Sequence, residues 1–246
     1  MSEFLNTLKN WIIDCYDYLG LILVSSCVWF GAVLGGFAII LRTGCSNSLI
    51  ILITAAAILY IFLIAPLTAG VYLMAKRIVT RDEPSLLNLF LGFKEYLTAS
   101  WTLGLAQTVI TLLLIGNAWF YLTHGSIGIK LLGVLFLYLL AFWAFSTAYH
   151  YPVLIEQRPG IIKTLKRSFL LTMGNSVFTA GVFFVIILLT CSCAITLLGL
   201  PLLYIGMASV FQIRALRVLF AKYGLLSDEN ERMPDSEAAL ENHDSS

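Results

Sequence analysis

The side chains most able to do chemistry here are polar groups set in long apolar runs. Gln107, Thr111 and Asn117, with Thr108 beside them, mark one semi-polar stripe in the run 99–122. An amide left unpaired in hydrocarbon costs several kcal/mol, so these groups are expected to face the interior of a bundle. There they either bond across to neighbouring helices or line a path for a small polar solute. Thr54 and Thr68 add hydroxyls to the preceding apolar run, in which Pro66 lacks an N–H and frees a backbone carbonyl near Phe62, for which Thr68 or a third-span side chain such as Gln107 is expected to supply a partner. His150, in Tyr149-His150-Tyr151-Pro152, could ligate a metal or carry a proton. With no Cys, Asp or Glu within a turn of it, it reads as a hydrogen-bonded histidine near the membrane boundary. His124 reads as solvated.

The missing groups are as informative. Residues 96–155 contain no acid, and no apolar core does. Intramembrane carboxylates mark proton relays and ion-coupled transport, so coupled transport is disfavoured while a facilitator stays open. The sequence has no H-E-x-x-H, G-x-S-x-G or phosphate-binding loop. Cys15, Cys27, Cys45, Cys191 and Cys193 form no C-x-x-C or zinc spacing. The chain is expected to be non-enzymatic, to hold no metal or cofactor, and to have no nucleic-acid partner.

The elements that must position these groups follow from composition. Of 246 residues 59% are hydrophobic and 12% charged, with mean hydropathy +0.90. A soluble domain carries about 25% charged residues, so the fold class is an all-α integral membrane protein in contact with the lipid bilayer. Six spans are expected: 19–41, 49–75, 99–122, 131–155, and two separated by Gly199-Leu200-Pro201 within 177–220. Gly31 and Gly35 form a G-x-x-x-G that would let another helix approach. Trp119-Phe120-Tyr121 reads as an interfacial belt.

Three amphipathic segments lie between or before the spans. The first, 4–18, sets Phe4, Leu5, Leu8, Trp11, Ile12 and Cys15 on one face and Asn6, Lys9, Asn10 and Asp14 on the other. The second follows Pro84, with Phe90 and Phe93 on its apolar stripe and Lys94 off it. The third opposes Ile161, Ile162, Leu165 and Phe169 to the basic Lys163, Lys166 and Arg167. Each would lie at the cytoplasmic interface, giving three units of amphipathic helix plus two-span hairpin at 1–77, 78–155 and 156–223. With the N-terminus inside, 13 of the 15 basic residues fall on the inner side, leaving Arg42 and Lys130 outside. The positive-inside rule therefore orients both termini to the cytoplasm of a multi-pass cell-membrane protein. Residues 224–246 carry seven acids against Arg232 alone, net −6, and are expected to be a disordered acidic tail. Residues 1–223 form the membrane domain.

Pro66-Leu67-Thr68-Ala69-Gly70-Val71-Tyr72 resembles the P-x-T-A-x-x-[YF] stretch of the YesL family of small bacterial membrane proteins. Here it is followed by a basic stretch, the acidic turn Asp82-Glu83 and the aromatic-basic helix Phe90, Phe93-Lys94-Glu95-Tyr96. Asn117-Ala118-Trp119-Phe120 and Tyr151-Pro152 fit the same pattern, over residues 15–223. Asn117 stands where members of the family often carry Asp. The family is a domain of unknown function found near carbohydrate-utilisation genes. The resemblance implies an accessory role in carbohydrate uptake or utilisation, with a membrane permease as partner. The alternative is a facilitator or transporter of a small polar solute such as a sugar.

Overall fold

The computed structural model describes residues 2–42, 49–124, 127–196 and 199–225, and among these it consists of helices joined by short turns, with no strand. The helices are α1 (Ser2–Asp17), α2 (Leu19–Arg42), α3 (Leu49–Leu59), α4 (Ala65–Thr80), α5 (Leu87–Glu95), α6 (Leu97–His124), α7 (Ile127–Gln157), α8 (Ile161–Gly174), α9 (Ser176–Ile195) and α10 (Ile205–Lys222). Six stretches are long and apolar enough to cross a membrane: Leu19–Arg42, Ile50–Thr80, Leu97–His124, Gly128–Gln157, Ser176–Ile195 and Pro201–Lys222. Hydrocarbon offers backbone groups no water, so such stretches close their own hydrogen bonds as helices. Their large apolar side chains stand outward, as at Ile50, Leu131 and Tyr138. A lipid environment covers these groups.

The second span is one helix with a wide turn. Residues Tyr60–Ile64 make a π-helical turn, and the Ala65 N–H reaches back to the Tyr60 carbonyl. Pro66 has no N–H for the carbonyl one turn earlier, that of Phe62, and the extra residue opens the backbone there. The indole Nε1 of Trp101 on α6 donates to this carbonyl at 3.3 Å. A second π-helical turn, Leu200–Tyr204, contains Pro201 and leads into α10. Pro152, by contrast, lies inside a continuous α7.

Helices α4, α7 and α10 pack against one another pairwise at the centre. Residues 65–75 of α4 and 148–155 of α7 are buried, as is most of α10. The rings of Tyr72 and Tyr151 stack at 5.5 Å between α4 and α7. Each of the three helices outside the spans docks on one member of this trio: α5 on α4, α8 on α7, and α1 on α10. The contact of α5 with α4 is the closest. A Cβ on Gly70 would come within 2.3 Å of the Leu89 carbonyl oxygen, and one on Gly92 within 2.8 Å of the Gly70 Cα. Two glycines thus let the backbones touch.

Two local expectations are corrected. Asp14 is fully buried on the α10 side of α1, while the apolar Leu5 and Ile12 are exposed. The inward face of α1 is therefore Thr7, Trp11, Asp14 and Cys15. Gly31 and Gly35 have open space around them; the close glycine on α2 is Gly36, against Leu59. Of the expected tail, 226–246 lie outside the described residues, as does Cys45.

Candidate functional site

The polar groups of the spans bond to one another in layers. In the first, the Tyr60 hydroxyl donates to Gln107 Oε1 at 2.5 Å, and Gln107 Nε2 donates to His150 Nδ1 at 2.8 Å. With Nδ1 accepting, the imidazole proton sits on Nε2, which faces the Ser146 hydroxyl at 3.3 Å. Trp143 packs its ring 5.0 Å from that of His150. Gln107, Ser146 and His150 are all buried. Every polar atom of the Gln107 side chain has a partner here, so the group works as a cross-brace between α6, α7 and the π-helical turn.

The other expected positions lie apart from this network. Thr111 accepts a hydrogen bond from the Trp143 indole at 3.0 Å. Asn117 is half-buried and returns its amide to the Leu113 carbonyl of its own helix at 2.7 Å, so it reaches no other helix. Thr68 accepts from the Trp29 indole at 2.9 Å and donates to the Ile64 carbonyl at 2.7 Å. It does not serve the carbonyl freed by Pro66; nor does Gln107, because Trp101 does. Pro66 and Pro152 are buried in the central trio. Phe90 is exposed and Phe93 half-buried on α5, and Lys163, Lys166 and Arg167 are exposed on α8.

Below this lies a layer of charge. The Tyr72 hydroxyl donates to Gln212 Oε1. Next, the buried Glu156 carboxylate accepts from Arg217 Nε at 2.7 Å and faces Lys76 Nζ at 3.7 Å. One charged side chain each from α4, α7 and α10 thus meets at the end of the central trio. Beside them Arg214 gives both Nε and Nη2 to Asp14 Oδ2. Outside the spans, burial first and then Asp14 push the Cys15 thiol up to about 12, against a smaller opposing effect of Arg214. Burial also raises the Tyr96 hydroxyl, opposed by Arg158, whose guanidinium lies 5.2 Å from that ring. Among the described residues no three His, Cys, Asp or Glu side chains gather as a metal would require.

Sequence reasoning singled out Gln107 and His150 but passed over their partners Tyr60 and Ser146, and the pairing of the charges in the lower layer. Residues 1–223 contain only seven acids. Asp14, three residues after an inward Trp11, carried the available signal. No protein-family model, no curated protein and no solved structure matches this chain.

Proposed function

We propose that this multi-pass membrane protein is a non-enzymatic accessory protein of a bacterial cell membrane, linked to carbohydrate uptake or utilisation and acting beside a membrane permease. The observation that carries the reading is the consumption of polar groups by one another at span depth. Tyr60, Gln107, His150 and Ser146 satisfy each other, and Glu156 with Lys76 and Arg217 ties the central helices together. Such groups brace a scaffold. The carbohydrate link rests on the YesL-like stretch 66–72.

The architecture in this reading is three units, 1–77, 78–155 and 156–223, each an amphipathic helix and a two-span hairpin. The cyclic docking of α5 on α4, α8 on α7 and α1 on α10 supports it. In each case the amphipathic helix of one unit meets the second span of the unit before it, with α1 closing the ring. Both termini are cytoplasmic, which the split of basic residues supports. The amphipathic helices lie along the inner interface, and exposed Leu5, Ile12, Leu87, Phe90 and Ile162 would there enter the lipid boundary.

Purification in mild detergent with identification of co-eluting proteins should return a permease. Proteoliposomes holding this chain alone should show no sugar uptake above empty vesicles. Uptake by the chain alone refutes the accessory reading and restores the facilitator. In that second reading Gln107, Thr111 and Asn117 would line the path, and the bonding of Asn117 to its own helix and of Thr111 to Trp143 argues against it.

A further inference from the structure

The geometry points to a binding site for a phosphate group in the cleft between α1 and α10. The cleft encloses about 660 Å³ and is lined by Asn6 and Asn10 from α1, Val79 from α4, and Arg214, Arg217 and Lys222 from α10. That volume is within the range of about 300–1,000 Å³ that small-ligand sites occupy. Arg214 and Arg217 are three residues apart on α10 and Lys222 follows two turns after Arg214, and all three line the cleft.

The arginines are fixed from behind. Buried Asp14 takes Nε and Nη2 of Arg214, and Glu156, its side chain only 7% exposed, takes Nε of Arg217. The Nη donors of Arg217 have no hydrogen-bond partner among the described residues, and Lys222 spends one of its three donors on Asn175 Oδ1 at 3.0 Å. Holding a guanidinium in place before a ligand arrives removes an ordering cost that binding would otherwise carry. Charge favours an anion. Three cations line the cleft against two carboxylates, and Lys76 adds a fourth cation beside Glu156.

Two guanidiniums, an ammonium and two carboxamides surround the cleft with N–H donors from several directions, which suits a tetrahedral oxyanion. Two sources share that chemistry: the headgroup phosphate of an anionic phospholipid and a soluble phosphate ester. The exposed Leu5 and Ile12 on α1 place acyl-chain-compatible surface on the helix that forms one wall, and basic pockets of this kind hold anionic headgroups. The site does not depend on the accessory reading.

The full chain is tested in phosphatidylcholine nanodiscs with and without phosphatidylglycerol, scoring retained lipid by native mass spectrometry. A second arm titrates inorganic pyrophosphate calorimetrically in phosphatidylcholine discs. Selective retention of phosphatidylglycerol assigns a headgroup; pyrophosphate binding assigns a soluble phosphate compound. Lys222→Gln and Asn10→Asp alter exposed side chains, so the fold is kept. Each should weaken binding about fivefold, the worth of one charge near such an anion. Lys94→Gln, on exposed α5 surface outside the cleft, should leave binding unchanged. Failure of both ligands to bind, or equal binding by parent, Lys222→Gln and Asn10→Asp, overturns the proposal. Binding that emerges only when residues 226–246 are removed overturns it too, because the cleft then belongs to the chain's own acidic segment.

Discussion

Removing one partner of the Asp14–Arg214 pair should destabilise the protein by an amount that depends on which partner remains. The side chain of Asp14 is 1% exposed and that of Arg214 is 19% exposed, at the wall of an open cleft. Breaking a buried ion pair costs about 3–5 kcal/mol, because the survivor is left charged and unpaired. In Asp14→Leu the surviving guanidinium can turn toward water in the cleft, which puts the loss near the lower figure. In Arg214→Leu the surviving carboxylate has no route to solvent, and its Oδ1 already lacks a partner, so the loss lies near the upper one. The double replacement Asp14→Leu with Arg214→Leu removes both charges and should recover most of the loss, since apolar substitutes for buried pairs are often neutral or stabilising. Reversible unfolding in mixed micelles gives all four free energies of the cycle. The reasoning fails if Asp14→Leu costs more than Arg214→Leu, or if the double variant loses the sum of the two.

Three further outcomes follow from the packing. Trp101→Phe strands the Phe62 carbonyl and should cost about 0.6–1.7 kcal/mol, the range of interhelical bonds in membranes. Adding Pro66→Ala, which supplies a backbone N–H, should cancel much of that loss in the same unfolding assay. Gly92→Leu drives a side chain into Gly70 and Leu73 and should cost at least about 1–3 kcal/mol, with loss of monodisperse protein on size exclusion. With Cys15 as the sole cysteine, maleimide at pH 8 should label only unfolded protein, because the thiolate is the reactive form and the folded thiol titrates at about 12. Since the folded value lies above the ordinary 9.0, the stability linked to this thiol is complete below pH 9 and is lost as pH rises toward 12.

The spans were legible because hydrocarbon allows few alternatives. A run such as 19–41, without a charge, can satisfy its backbone only as a helix. The break at Gly199-Leu200-Pro201 and the helices after Pro84 and Gly160 were likewise written in local residue types. Hydrogen-bond partners were not, because they depend on which helices become neighbours. Gln107 was visible as a polar group in an apolar run, but its partners are 43 and 47 residues away in sequence. The carbonyl freed by Pro66 was located correctly near Phe62. Its donor, the indole of Trp101, reads in sequence as one more apolar residue. Asp14 misled for a related reason: a carboxylate on an amphipathic helix defaults to the wet face unless a cation is known to face it. That cation lies 200 residues later.

The same separation gives the chain's two ends a common task. Trp11 Nε1 donates to the Met207 carbonyl at 2.9 Å, Asp14 grips Arg214, and the Gly206 N–H donates to Ser26 Oγ at 3.1 Å. All three contacts join α1 or α2 to α10, the last span. Until α10 is in place, the Asp14 carboxylate of α1 lacks its cation. The burial of Asp14 is therefore costly in any partial bundle and favourable only in the closed one. Contacts between the first and last helices therefore favour closure of the whole bundle over any partial one. This also explains why the charges sit at this closing seam, whereas the Gln107–His150 brace joins helices that are close in sequence. A closing seam that carries fixed arginines is also where the cleft lies, so closure of the fold and assembly of the anion site are the same event.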